Sequence, residues 1–226
     1  MTNSQRFTIR RWLRRLALLA VAAPCVWLGA AWLVVHQLTR RMRPIALENM
    51  PTIEWASIAK LHLTTSDGHR LGAWYIAGKS DRPTVVLLHG NGGSKISCLV
   101  EAEMLSSHGC GVLLVTQRAH GESSGDFNDF GYSGRHDVIA AVDWLADHQP
   151  NQPVVVWGQS LGSAAAAYAA QDLGERVSGY IIECPYQDLR TATWNRMEAA
   201  LPPGFDYLAY AGLQVAGPLV LGDIST

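Results

Sequence analysis

The sequence predicts an α/β fold, a mostly parallel sheet flanked by helices, behind an N-terminal transmembrane helix. Three observations support this prediction. Short runs rich in valine, isoleucine and leucine alternate with stretches of helical periodicity, which is the order expected of βαβ units. Those runs lack polar alternation, as is typical of strands covered by helices on both faces. An uncharged, almost wholly apolar stretch lies close to the N-terminus.

The apolar stretch "LALLAVAAPCVWLGAAWLVV" covers residues 16–35. Twenty helical residues rise about 30 Å, the thickness of the hydrocarbon core of a bilayer. A cleaved signal peptide would have a shorter apolar region, of about 7 to 15 residues. A buried core helix of this length rarely lacks a polar face. With both alternatives weighed, we predict an uncleaved signal anchor over residues 16–38.

Arginines flank this span unequally. The basic segment of residues 1–15 has five of them, and the start of the linker has three: Arg6, Arg10, Arg11, Arg14 and Arg15, then Arg40, Arg41 and Arg43. Because positive charge is retained on the cytoplasmic side, we predict a cytoplasmic N-terminus. The rest of the chain is then expected on the extracytoplasmic side of the membrane, as a single-pass protein.

The elements of the α/β domain, residues 58–226, follow a linker at residues 39–57. "AKLHLTTSDGHRLGAWYIA" predicts a hairpin that turns at Asp67 and Gly68. Three strand–helix pairs come next: "PTVVLLHG" with "KISCLVEAEMLSSHG", "CGVLLVT" with "GRHDVIAAVDWLADHQ", and "QPVVVWG" with "SLGSAAAAYAAQDLG". "SGYIIECP" predicts one more strand. The stretch after it predicts a helical, partly lid-like segment whose aromatic residues either line an acyl pocket or pack together: Trp194, Tyr207 and Tyr210.

Composition argues against several classes of partner and cofactor. The formal net charge of −1 gives no indication of a nucleic-acid partner. The cysteines have no metal-site or disulfide spacing, so Cys98, Cys110 and Cys184 are interpreted as buried structural thiols. "HGNGG" is glycine-rich but lacks the Lys-Ser/Thr pair of a phosphate-binding loop. We therefore expect no metal and no nucleotide cofactor.

"GQSLG", residues 158–162, joins a predicted strand to a predicted helix. A serine on such a strained turn projects its hydroxyl above the sheet, and Gly158 and Gly162 keep side chains away from the close-packed turn. The helix that begins near Leu161 directs N–H groups and the positive end of its dipole toward an oxyanion. Ser160 is therefore the candidate nucleophile. A serine hydroxyl also needs a base, usually a histidine.

Three motifs carry a family resemblance: "LLHGNGG" (87–93), "QRAHGESSG" (117–125) and "GQSLG" (158–162). The three motifs occur in the same order as in the α/β-hydrolase superfamily. Residues 58–200 resemble that superfamily, especially its membrane-anchored serine aminopeptidase-like and esterase-like members. The chain departs at Thr116, where aspartate is frequent, and at Ala119, where glycine is usual. The resemblance implies a serine hydrolase of ester, peptide or lipid substrates. It also implies an oxyanion hole formed by the N–H groups of Asn91 and Leu161, with His89 and Gly90 shaping the loop.

The sequence shows no evident general base for Ser160. The family order is serine, then an acid, then histidine, yet all eight histidines precede Ser160. His89 and His120 could face the cleft, but both fit structural roles better, and so does Glu183 as an acid. We therefore expect a C-terminally truncated serine hydrolase that ends before its acid and its base. The alternative is a hydrolase-like protein that binds a ligand without turnover, and a purely structural membrane-tethered module is the weakest candidate.

Overall fold

A computed structural model describes the backbone of residues 3–222 and the side chains of residues 10–222. The side chain of Arg6, and residues 223–226 at the end of the predicted domain, lie outside the described residues. The helices are α1 (Asn3–Leu38), α2 (Leu99–Ser107), α3 (Arg135–His148), α4 (Leu161–Leu173), α5 (Leu189–Ala200) and α6 (Phe205–Leu221). The strands are β1 (Ile58–Thr64), β2 (Arg70–Ile76), β3 (Thr84–Leu88), β4 (Gly111–Val115), β5 (Val154–Gln159) and β6 (Gly179–Glu183).

The described chain forms two compact units, one of residues 38–187 and one that joins α1 to the chain from residue 188 onward. The first unit contains a six-stranded sheet in the order β1-β2-β4-β3-β5-β6. β1 and β2 form the predicted antiparallel hairpin, and β2 also pairs antiparallel with β4. The other pairs are parallel. The predicted α/β fold with a mostly parallel sheet is confirmed.

The sheet of this unit is covered on both faces. α3 and α4 pack on one face, in a core that includes Leu113, Val138 and Ala165. α2 covers the other face, where Trp74, Leu87 and Leu114 are buried. β3 and β4 are buried along their full length, which explains their uninterrupted apolar sequences.

β6 differs from the other parallel strands, because it lies at the edge of the sheet and pairs only with β5 within the described chain. Ile181 and Ile182 are therefore 43% and 38% exposed, although their sequence is that of a buried strand. The prediction that Cys184 is buried is wrong: this residue follows the edge strand and is exposed. Cys98 is buried, and Cys110 is partly buried.

The other unit combines α1 with α5 and α6. Within the described residues, one helical segment, Arg10–Leu38, is long and apolar enough to cross a membrane, and most of its side chains are exposed. α1 contacts α6 through small residues, with Ala31 close to Gly212, and the indole of Trp27 donates to the Leu208 carbonyl at 3.0 Å. The ring of Trp194 packs on Tyr207 and Tyr210. These aromatic residues pack together, the second of their two predicted roles.

Candidate active site

The nucleophile elbow lies between β5 and α4. Ser160 occupies it with φ 51° and ψ −105°, a left-handed conformation for a residue with a side chain. Such backbone strain is characteristic of functional sites and persists only where the surroundings enforce it. The Ser160 N–H donates to the carbonyl of Glu183 at the end of β6, at 2.8 Å. The hydroxyl of Ser160 makes no hydrogen bond to any described residue.

Two glycines make this turn sterically feasible. A Cβ at Gly158 would overlap the backbone of Gly162 and Ser163. A Cβ at Gly162 would lie 2.5 Å from the carbonyl oxygen of Leu88, at the end of β3. Both positions therefore require glycine for close backbone packing, as the sequence predicts. Neither requirement arises from a positive φ.

Ser163 secures the elbow, although no pattern in the sequence distinguishes it from the small residues around it. Its buried hydroxyl lies 2.6 Å from the Gly158 carbonyl oxygen and 2.7 Å from that of Glu183. It also accepts a hydrogen bond from the Glu183 N–H at 3.1 Å. The side-chain carboxylate of Glu183 accepts from the indole of Trp157 at 3.3 Å. Ser163 therefore fixes β6 to the turn that carries Ser160.

The oxyanion loop, residues 89–94, follows β3 and lies beside the elbow. A Cβ at Gly90 would be 3.6 Å from the Cβ of Ser160. The backbone N–H groups of Asn91 and Leu161 donate to no described residue. Unpaired N–H groups beside a nucleophile can bind the oxygen of a tetrahedral intermediate. The structure therefore brings Ser160, Gly90 and the two predicted N–H donors to the same end of the parallel strands.

His89 is buried in this loop, and both of its ring nitrogens are occupied. Its Nε2 accepts the N–H of Gln117 at 3.0 Å, so its Nδ1 carries the proton and donates to the Gly90 carbonyl at 2.7 Å. The side-chain amide of Gln117 donates a hydrogen bond to the His89 carbonyl oxygen, at 2.7 Å. Burial lowers the pKa of His89 to about 4. His89 is therefore a neutral residue that fixes the loop.

His120 makes a similar pair of backbone hydrogen bonds. Its Nδ1 donates to the Arg118 carbonyl at 2.8 Å, and its Nε2 accepts the Gly92 N–H at 3.1 Å. Burial lowers the pKa of His120, so its ring is neutral. The ring nitrogen that could accept a proton, Nε2, is already hydrogen bonded to the Gly92 N–H. The side chain of Asn91 is held by the Asn128 amide at 2.8 Å. No histidine in the described part of the chain hydrogen bonds to Ser160.

A buried charge cluster supports the other end of the oxyanion loop. The ammonium of Lys95 contacts the carboxylates of Glu48 and Glu122 and lies 4.7 Å from the ring centre of Trp74. Thr116 donates to Glu48 at 2.7 Å and accepts the Lys95 N–H at 3.1 Å. Burial alone would raise the pKa of Glu48, but hydrogen bonds from Lys95, Ser94 and Thr116 outweigh it and lower the pKa. The cluster links three separate segments beside the site.

Two residues of the "QRAHGESSG" motif shape the loop after β4. Ala119 has φ 58°, a conformation that favours glycine, which gives a physical reason for the usual glycine there. Arg118 donates from Nε to Asp137 at 2.8 Å and from Nη1 to Asp67 at 2.6 Å, joining α3 to the hairpin turn. Burial raises the pKa of Asp137 to about 6, although Arg118 opposes the shift. In the described residues, no three His, Cys, Asp or Glu side chains cluster as metal ligands.

Comparisons with known proteins agree with the observed fold. A sequence model of the family described as "alpha/beta hydrolase fold" matches residues 83–222. The esterase Pf2001 of Pyrococcus furiosus has a similar structure, with a TM-score of 0.60 and 26% sequence identity, over 76% of this chain and 68% of that one.

Two curated relatives are similar in sequence. The human protein ABHD12B is 32% identical over 128 residues, which are 54% of this chain and 35% of that protein. The lysophosphatidylserine lipase ABHD12 of Bos taurus is 30% identical over 157 residues, which are 63% of this chain and 39% of the lipase. The matched region thus covers less than half of each relative's length.

Proposed function

The chain belongs to the α/β-hydrolase family, and on that premise we propose that it is a membrane-anchored serine hydrolase of the esterase or lipase type. Ser160 is the proposed nucleophile. The observation that carries the proposal is its unbonded hydroxyl, on a strained turn beside the free N–H groups of Asn91 and Leu161.

The proposed reaction is acyl transfer through a covalent intermediate. The Ser160 Oγ attacks the carbonyl carbon of an ester and loses its proton to a base. The N–H groups of Asn91 and Leu161 stabilise the oxygen that gains negative charge, and a single donor of this kind contributes a factor of about 10² to 10³ to catalysis. The alcohol leaves with a proton, and water then hydrolyses the acyl-serine. We assign the base to neither His89 nor His120, because both use their ring nitrogens on backbone groups.

An acyl ester of a lipid is the substrate class that we propose. The solved structure with the TM-score of 0.60 is an esterase, and relatives in several vertebrates are named lysophosphatidylserine lipases. The exposed apolar helix Arg10–Leu38 supports attachment to a membrane, where such substrates reside. A peptide bond is the weaker candidate substrate, because none of these relatives is named a peptidase.

A ligand-binding protein without turnover is the second candidate function. The observation that favours it is the engagement of both His89 and His120 by backbone groups, which leaves Ser160 without a histidine partner among the described residues. In that case the oxyanion loop and the elbow would bind the carbonyl group of a ligand without cleaving it.

Labelling of the full chain in detergent with a short, water-soluble fluorophosphonate distinguishes the two functions. We expect weak labelling that Ser160→Ala abolishes and that Ser178→Ala, at an exposed serine, leaves unchanged. Added imidazole should then raise hydrolysis of a short-chain ester in wild type, after subtraction of the protein-free rate, and not in Ser160→Ala. Identical labelling and hydrolysis in wild type and Ser160→Ala would exclude the hydrolase and favour the binding protein.

A further inference from the structure

The segment that follows α1 is hydrogen bonded to the unit that contains the sheet. Residues 39–50, called the strap below, contain no helix or strand, yet they are bonded to the loop after β4. Arg41 donates from Nε to the Gly125 carbonyl at 3.0 Å and from Nη1 to the Gly121 carbonyl at 3.1 Å. The backbone N–H of Ala46 donates a hydrogen bond to the Gly121 carbonyl oxygen, at 3.2 Å. Glu48 completes the attachment through Lys95. The predicted linker is therefore held in a defined orientation.

The strap also presents several large apolar side chains to solvent. Met42 and Ile45 are each 61% exposed, and Leu47 is 79% exposed. Arg40 and Arg43 are exposed in the same stretch and line an open depression with Met42 and Pro44. Exposed apolar residues that occur singly need no explanation, but several on a short segment indicate an interaction site. Here they are interleaved with arginines, which is the composition of membrane-surface segments.

The strap directly follows the apolar helix in the sequence, and this position indicates what covers its exposed apolar side chains. The apolar segment of α1 ends at Leu38, and the strap begins at the next residue. A chain that leaves a bilayer at Leu38 therefore carries these side chains within two to nine residues of the point where it emerges. We propose that the strap lies on this membrane, with Met42, Ile45 and Leu47 among the acyl chains and Arg40 and Arg43 on anionic phospholipid headgroups.

The strap also lies beside the oxyanion loop. The Sδ of Met42 is 3.5 Å from the position that a Cβ on Gly92 would take, and Gly92 is next to Asn91. A membrane in contact with Met42 therefore reaches the neighbourhood of the proposed oxyanion hole. If Ser160 is the nucleophile, which is the proposed function, a lipid ester enters the site laterally from the bilayer rather than from water.

Photo-crosslinking of the full chain in lipid nanodiscs tests the contact without any need for activity. A benzophenone amino acid replaces Leu47, or replaces Val100 on α2 as a control of matched exposure, 77%. The nanodiscs contain phosphatidylcholine with or without phosphatidylglycerol. We expect phospholipid adducts, identified by mass, from position 47 and not from position 100. Removing phosphatidylglycerol, or the change Arg40→Gln with Arg43→Gln, should lower the yield at position 47, by about fivefold per arginine at low salt.

The outcomes separate this proposal from the proposed function. Absence of adducts at position 47, or equal yields at positions 47 and 100, would overturn the membrane contact. A yield that is insensitive to anionic lipid and to the two arginines would overturn the headgroup assignment. Crosslinking should be the same in Ser160→Ala, so a failed hydrolase proposal leaves this test intact.

Lateral entry is tested with two fluorophosphonates, one short and soluble and one with a long acyl-like chain that resides in the bilayer. Ile45→Asp with Leu47→Asp should slow labelling of Ser160 by the long probe severalfold and leave the short probe unaffected. Equal effects on both probes, or on neither, would overturn lateral entry. If neither probe labels wild type, the proposed function fails, and the crosslinking result alone then decides whether the strap contacts the membrane.

Discussion

The carboxylate of Glu48 and the ammonium of Lys95 form a buried ion pair that joins the strap to the end of the oxyanion loop. Removing one partner of such a pair leaves an uncompensated buried charge, which costs about 3–5 kcal/mol. We expect Lys95→Met, which leaves the Glu48 carboxylate without a cation while Glu122 keeps Lys60, to lower the free energy of unfolding by this amount in denaturant titrations in detergent. Arg176→Gln removes a partly exposed ion pair with Asp143 and should cost less than about 1 kcal/mol. Equal losses in the two variants would contradict the buried pair.

Gly162→Ala should disrupt the elbow. Its Cβ would lie 2.5 Å from the Leu88 carbonyl oxygen, a backbone atom that cannot move without displacing β3. We expect a loss of stability of about 1–3 kcal/mol, as for overpacked cores, and loss of fluorophosphonate labelling at Ser160. Gly179→Ala is the matched control, because nothing lies within 4 Å of its Cβ. A stable, normally labelled Gly162→Ala protein would refute the close approach of the two backbones.

Ser163→Ala tests how the elbow is held. The substitution removes the hydroxyl that bonds to Gly158 and Glu183 and leaves the Glu183 N–H without its acceptor. An unsatisfied buried group costs about 1–3 kcal/mol, and labelling of Ser160 should slow as β6 loosens. Ser107→Ala, at an exposed serine that bonds the Met104 carbonyl, should have little effect on either measurement. Equal effects of both substitutions would count against a positioning role for Ser163.

His89 should make stability depend on pH. Its pKa is about 4 in the folded protein against a reference value of 6.5, so the unfolded chain binds the proton more tightly. The contribution of His89 is therefore complete above pH 6.5 and decreases as pH falls toward 4. His89 contributes about 3 kcal/mol in total to the free energy of unfolding, and about 2 kcal/mol of this should be lost between pH 7 and pH 5.

Unfolding titrations of wild type and His89→Gln at these two pH values measure this contribution. The glutamine variant is less stable at pH 7 but should lose about 2 kcal/mol less on acidification. Parallel losses in the two proteins would show that other groups carry the pH dependence.

The orientation of the chain in the membrane is also open to measurement. The greater number of arginines before the span predicts a cytoplasmic N-terminus, so an alkaline phosphatase fusion at the C-terminus should be active and a fluorescent-protein fusion dark. The opposite pattern would reverse the orientation. Release of the protein by a carbonate wash would contradict anchoring by α1.

The sequence alone was sufficient to predict the elements, the α/β fold and the position of Ser160. Apolar runs without alternation predict buried strands, and glycines around a serine predict a close-packed turn. These signals are local, because they arise from backbone sterics and from burial repeated along one segment. A helical segment was predictable after β6 as far as residue 212. The apolar run after it suggested a further strand but continues α6 to Leu221, and the grouping of α5 and α6 with α1 was not predictable.

Only the tertiary structure showed what each polar residue near Ser160 does. The sequence favours structural roles for His89 and His120 without showing what they hold, and their hydrogen bonds to Gln117 and Gly92 supply that answer. Lys95 and Glu48 are 47 residues apart, and no sequence pattern pairs them. Folding brings such groups together because a buried charge or ring nitrogen must find a partner wherever the chain can supply one. Short-range patterns determine the strands and the elbow, whereas these long-range pairings exist only once the sheet has formed.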